Sequence, residues 1–209
     1  EMDQMAFSAL YLSESIIIAH STTTEEAAGH TGGNAGRGGD FLFRWGKPAN
    51  YGVSGTQRIP AAVHDVKWVR SNAPMAGWLM FVNNNGGGSN TTTIDAINPE
   101  RDGYNYPWTP GTVWGPATYD WRHTCLAYSS GQSAADIMPN GNVFVAISGQ
   151  YMYEVNTSGQ TVWQYNAGPQ KAFRYTCDFP GITALLGEDP CGLATEVTAN
   201  PAPEAWSLY

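Results

Sequence analysis

The stretch that decides the fold is Gln132-Ser133-Ala134-Ala135-Asp136-Ile137-Met138, followed by Pro139-Asn140-Gly141-Asn142 and Val143-Phe144-Val145-Ala146-Ile147. It continues as Tyr151-Met152-Tyr153-Glu154-Val155, Asn156-Thr157-Ser158-Gly159 and Thr161-Val162-Trp163-Gln164-Tyr165. Four short apolar or alternating runs are punctuated by Asn/Gly turns. Such turns need the positive φ that Gly and Asn tolerate, and Asn-Gly is the strongest short hairpin signal. The spacing predicts a four-stranded antiparallel unit of about forty residues. Units of that length repeated around an axis build a β-propeller.

Upstream the pattern recurs. Val63 to Val69 alternates, Gly77 to Val82 is a second apolar run, and Thr91 to Ile97 alternates again. Thr118-Tyr119-Asp120-Trp121 supplies a short outer strand after a Pro/Gly/Tyr-rich excursion. Met5 to Leu10, Ser15 to His20 and Phe41 to Trp45 read as three further strands, and helix periodicity is almost absent. Two complete blades are expected, Val63–Trp121 and His123–Tyr165, with partial ones at both ends. Because propellers need about four to eight blades, the sequence predicts about half of a ring. The remainder would come from an N-terminal portion, as a separate chain or an upstream segment. Glu1 is not an initiating Met, which suits a cut precursor or a segment. A long jelly-roll-like sandwich is the alternative all-β fold.

Composition narrows the function. Of 209 residues only 13% are charged, and the net charge is −8 with ten scattered basic residues. Nucleic acid is therefore a poor partner, since phosphate backbones need clustered Lys and Arg. No apolar run is long enough to span a bilayer. Cys177 and Cys191 bracket a compact Pro/Gly-containing segment and are expected to pair, which fits an oxidising, secreted or cell-surface location. Cys125 lies in an apolar pattern and reads as a small buried residue. Neither a Cys-x-x-Cys pair nor a tight Cys/His pair is present, so no metal and no cofactor are expected. The expected organisation is a propeller portion over 1–180, a disulfide-stapled segment over 181–198 and a linker over 199–209.

Three stretches carry a family resemblance. They are His20-Ser21-Thr22-Thr23-Thr24-Glu25-Glu26-Ala27-Ala28-Gly29-His30-Thr31-Gly32-Gly33, then Gly38-Gly39-Asp40-Phe41-Leu42-Phe43-Arg44-Trp45-Gly46, and His64-Asp65-Val66-Lys67-Trp68. Together with Met138-Pro139-Asn140-Gly141-Asn142 they resemble the bacterial arylsulfotransferase (aryl-sulfate sulfotransferase-like) family. The resemblance implies a six-bladed propeller whose channel moves a sulfuryl group from an aryl sulfate to a phenol through a sulfated histidine. Glu204-Ala205-Trp206-Ser207-Leu208-Tyr209 resembles the approach to the C-terminal sorting domain of type IX secretion cargo in Bacteroidota. That domain would be removed, or would lie past the linker.

Sulfuryl transfer needs a nucleophile, a proton donor for the phenolate, and cations for the sulfonate oxygens. His64 opens an inner-strand pattern beside Asp65 and is the leading catalytic candidate. His20, His30 and His123 are the others. Glu25 and Glu26 lie between His20 and His30, but so long a loop fixes no ligand geometry. Arg37, in a Gly-rich loop, could support an anion nest. Arg122 beside His123, Arg174 in the last partial blade, and Gln132, which holds the place His64 holds earlier, complete the candidate binding residues. Trp108, Trp114 and Tyr104 could stack on a ring. One departure counts against transfer: the family pattern leads one to expect a cation after Asn85-Gly86, and here Gly87-Gly88-Ser89 follows. The second reading is accordingly a non-catalytic extracellular propeller serving as a surface, adhesion or assembly component.

Overall fold

The computed structural model describes residues 3–20, 22–56, 60–187 and 190–191. Two compact units divide the chain, Glu1–Phe173 and Arg174–Tyr209. That boundary lies a few residues before the expected one at 180.

The first unit holds three antiparallel sheets in chain order, each an up-and-down meander. Sheet one is β1 (Gln4–Ala9), β2 (Glu14–Ala19) and β3 (Phe41–Trp45). Sheet two is β4 (Val63–Trp68), β5 (Leu79–Asn83), β6 (Thr93–Ile97) and β7 (Trp121–Thr124). Sheet three is β8 (Ala134–Ile137), β9 (Val143–Ile147), β10 (Tyr151–Val155) and β11 (Thr161–Tyr165). The chain is thus predominantly β, and the described residues form no closed ring. The turn chemistry works as read: Gly141 and Gly159 take φ of 85° and 79°, which a residue with a Cβ rarely adopts.

Side chains alternate across a strand, so a sheet placed between two others must be apolar on both faces. β5 shows this directly. Leu79 and Phe81 pack with Ile17, Leu42, Phe43 and Trp45 of sheet one. Met80 and Val82 pack with Ala135, Val143, Val145 and Ile147 of sheet three. Every residue of β5 and of β6 is buried.

Polar residues inside the stack are satisfied in place. Asp95, fully buried in β6, accepts from Arg122 Nε at 2.6 Å and Nη2 at 2.8 Å, and from Asn83 and Thr93 at 3.1 Å. Sheet one repeats the device with Glu14, which accepts from Arg44 Nε at 2.8 Å and Nη2 at 3.0 Å and from Asn50 at 2.6 Å.

Two readings of the sequence change. β7 spans Trp121–Thr124, so the second complete unit begins at Ala134 and not at His123. Lys171–Tyr175 forms no strand. Gly168 fits so tightly against Gln150 and Ile147 that a Cβ would collide with their backbone, and Lys171 then reaches back toward sheet two. The second unit contains helix α1 (Pro180–Leu186), with Pro at its first position, where the missing N–H costs nothing. It also holds the expected Cys177–Cys191 disulfide, with Cα atoms 5.0 Å apart. The linker over 199–209 lies outside the described residues, as does most of 181–198 beyond α1.

Phe81 is fully buried against sheet one. Phe81→Ala is expected to cost about 3–5 kcal/mol through lost burial and the cavity left behind. A urea-unfolding midpoint that stays at the wild-type value would contradict this packing.

Candidate functional site

β4 and β8 lie at the same edge of their sheets and run in the same direction. Asp65 reaches Ala135 near their starts, and Pro74 lies against Gly141 beyond their ends. The register of β4 against β5 shifts between His64 and Lys67. Asp65 sits in that bulge with a φ of 54°, uncommon for a residue with a Cβ. The bulge aims its carboxylate at sheet three, where Oδ2 accepts from the Ala135 backbone N–H at 3.1 Å.

An ionic cluster forms around this point. Lys67 Nζ lies 3.0 Å from Asp65 Oδ2 and 3.0 Å from Asp136 Oδ1. Arg70 Nη2 lies 3.2 Å from Asp136, and Lys171 Nζ 3.8 Å from Asp65 Oδ1. The Phe173 ring supports the Lys67 ammonium at 4.9 Å. Three cations, Lys67, Arg70 and Lys171, thus converge on two carboxylates, Asp65 and Asp136.

His64 stands beside this cluster, half-buried, with no hydrogen-bond partner among the described residues. Burial and the Lys171 charge push its pKa below the ordinary imidazole value, and Asp65 offsets this in part. The ring is therefore neutral at pH 7, with a nitrogen lone pair available as nucleophile or base. Cys125 is no competitor, because burial pushes its thiol up to about 12.

The other candidates lie elsewhere. His20 Nδ1 meets Asp3 at 2.6 Å, at the far end of the strands from His64. His30 Nδ1 meets Asp40 at 2.7 Å with its side chain 87% exposed. His123 belongs to the outermost strand of sheet two, and its ring lies 2.9 Å from the Tyr153 hydroxyl. It therefore precedes no inner strand, contrary to the sequence reading. The Arg122 fork is taken by Asp95, and its guanidinium lies 3.9 Å from the Tyr119 ring centre. Gln132 is exposed just ahead of β8, and Arg174 opens the second unit. Among the described residues, no three His, Cys, Asp or Glu side chains come together as a metal-binding set.

Arg37 lines a small hollow with Phe41, Arg44, Tyr51 and the stacked pair Trp108 and Trp114, whose ring centres are 5.1 Å apart. The structure thus joins the Gly-rich loop to the aromatic excursion. Tyr104 stands apart from them, its carbonyl accepting from Gln4.

Sequence reasoning missed Lys67, Arg70, Asp136 and Lys171. The available signal was an aspartate in each inner strand, Asp65 and Asp136, inside otherwise apolar or alternating runs. Buried carboxylates of that kind demand cations.

No protein-family model matches the chain, no curated protein matches it, and no solved structure matches its fold.

Lys171→Met removes one of the two influences that depress the His64 pKa. The His64 pKa is expected to rise, read by imidazole NMR titration; an unchanged value would remove Lys171 from the site. His64 and His123 both titrate below their unfolded value of about 6.5. The unfolded chain therefore binds their protons more readily, so this contribution is complete above about pH 6.5 and is lost as pH falls below it. Denaturation midpoints that do not respond to His64→Gln and His123→Gln in that window would refute the assignment.

Proposed function

We propose that this chain is one arc of a secreted, six-bladed, arylsulfotransferase-like propeller, and that His64 carries a sulfuryl group between an aryl sulfate and a phenol. The observation that carries the reading is a neutral, unbonded His64 beside a cation-rich cluster at the shared edge of β4 and β8. Stacked four-stranded meanders with parallel first strands support the ring, and the disulfide supports an oxidising compartment.

In the first half-reaction a His64 ring nitrogen donates its lone pair to sulfur. The bond from sulfur to the aryl oxygen breaks, and the phenolate leaves with the electron pair and takes the proton that the sulfated imidazole gives up from its other nitrogen, which the acceptor's proton later replaces. In the second, the acceptor phenol oxygen attacks sulfur, the S–N bond breaks, the acceptor loses its proton, and neutral His64 returns. Lys171, whose charge already acts on His64, is the cation assigned to the sulfonate oxygens. That answers the missing cation after Asn85-Gly86, where Gly86 lies too close to Asn83 and Thr93 to admit even a Cβ. The chemistry needs no cofactor. The N-terminal portion of the ring would supply the remaining blades.

One observation favours the non-catalytic alternative. Each cation of the cluster already faces a carboxylate, so the cluster also works as a clamp between sheets two and three. The assay that separates the readings mixes the ring-complete protein with a chromogenic aryl sulfate, with and without a phenol acceptor. Acceptor-dependent phenol release is expected, falling by about a thousandfold or more in His64→Ala, as loss of a covalent nucleophile requires. Turnover unaffected by that substitution would leave the scaffold reading. Release without an acceptor would indicate hydrolysis of the sulfate ester instead.

A further inference from the structure

Among the described residues, sheets two and three have four strands, while sheet one has three. The position of the gap follows from strand direction. β4 and β8, the first strands of their sheets, run the same way. β1 runs the other way, because Asp3 and Gln4 at its start line a cleft with Trp68 and Val69 at the end of β4. Its direction is therefore that of β5 and β9, the second strands.

β1 lies against β4, with Ala6 packed in the same cluster as Val66 and Trp68. β3, ending in Trp45-Gly46, is then the outermost strand of its sheet, as β7 and β11 are of theirs.

The free edge of β1 is equipped for a partner. The His20 N–H donates to the Asp3 carbonyl at 3.1 Å, which marks Asp3 and His20 as a hydrogen-bonded pair. Such pairs alternate along an antiparallel ladder. The bonds to β2 therefore fall to Met5, Phe7 and Ala9, opposite Ile18, Ile16 and Glu14. Gln4, Ala6 and Ser8 turn their N–H and C=O groups to the open edge. No backbone bond joins that edge to any other described segment. Beside it, Asp3, Gln4, Trp68, Val69 and Arg70 line a cleft of about 660 Å³.

We propose that the β1 edge is an acceptor for one added strand: an extended, alternately apolar segment of about six residues from the polypeptide that completes the ring. It runs antiparallel to β1 and parallel to β4 and β8. Backbone pairing to Gln4, Ala6 and Ser8 gives the affinity, and apolar side chains toward Val66 and Trp68 give the register. The inference rests on strand direction and pairing, so failure of the sulfuryl assay would leave it standing.

The test joins a copy of the β4 sequence, Ala61–Val69, ahead of the full chain through a short Gly-rich turn, with a Gly/Ser segment of equal length as control. Amide hydrogen exchange is read by NMR. The Ala6 and Ser8 amides are expected to exchange freely in the chain alone. They should slow by about tenfold or more with the β4-sequence strand, and not with the Gly/Ser control. Ala6→Pro, which deletes one open-edge donor and no bond to β2, should abolish the slowing while the Val145 amide stays protected. Free exchange with the β4-sequence strand in place would overturn the proposal. So would protection already present in the chain alone, including protection that grows with concentration, since a second copy would then occupy the edge. If Ala6→Pro does not fold, the comparison of the two unsubstituted tethers decides.

Discussion

The structure depends on burying sheet two from both sides. β5 and β6 expose nothing, so the sheet is stable only between two neighbours. Fully buried apolar side chains are each worth roughly 1.5–3 kcal/mol, and β5 alone contributes Leu79, Met80, Phe81 and Val82. Neither neighbouring sheet has the same protection. Met5, Phe7 and Phe41 of sheet one are more than a third exposed, as are Val162, Trp163 and Tyr165 on β11. The stack is apolar inside and leaves large apolar side chains exposed on both outer sheets.

The same geometry generates the candidate site. First strands that run parallel in adjacent sheets bring equivalent positions side by side, so one aspartate in each, Asp65 and Asp136, makes a paired demand for cations. Lys67, Arg70 and Lys171 answer it from three different segments. Removing one member would leave a buried carboxylate short of a partner, which costs more than the pair gains on forming. The cluster therefore joins sheets two and three, and its Lys171 and Asp65 act in opposite directions on His64. The atoms that tie the two sheets together also surround the candidate histidine.

Much of the fold was legible in the sequence because turn chemistry and two-residue alternation are local. Phe41–Trp45, Val143–Ile147, Tyr151–Val155 and Thr161–Tyr165 are strands with the limits the pattern predicts. The strand Trp121–Thr124 escaped because its residues are half-exposed and largely polar, so its pairing to β6 is visible only in the register. The site was legible at His64 and hardly beyond it. Asp136 and Lys171 approach Asp65 through sheet stacking, and the bulge that turns Asp65 toward β8 leaves no compositional trace. His20, His30 and Arg122 looked available in the sequence, yet each meets an aspartate of its own.

Strand direction adds a constraint that periodicity cannot supply. A run of alternating residues reads the same in the first or the second place of a sheet, so Met5–Leu10 alone could not say which it fills. The cleft at Trp68 gives β1 the direction of β5 and β9, and the pairing at His20 shows which of its backbone groups face the open edge. The strand that would stand in the first place would cover the sheet-one side of β4, whose other side faces the cluster at Asp65. Completing sheet one would then remove solvent from behind His64 and lower the local dielectric, strengthening each charge interaction already present there. On this argument, closing the sheet and tuning the histidine are one physical event.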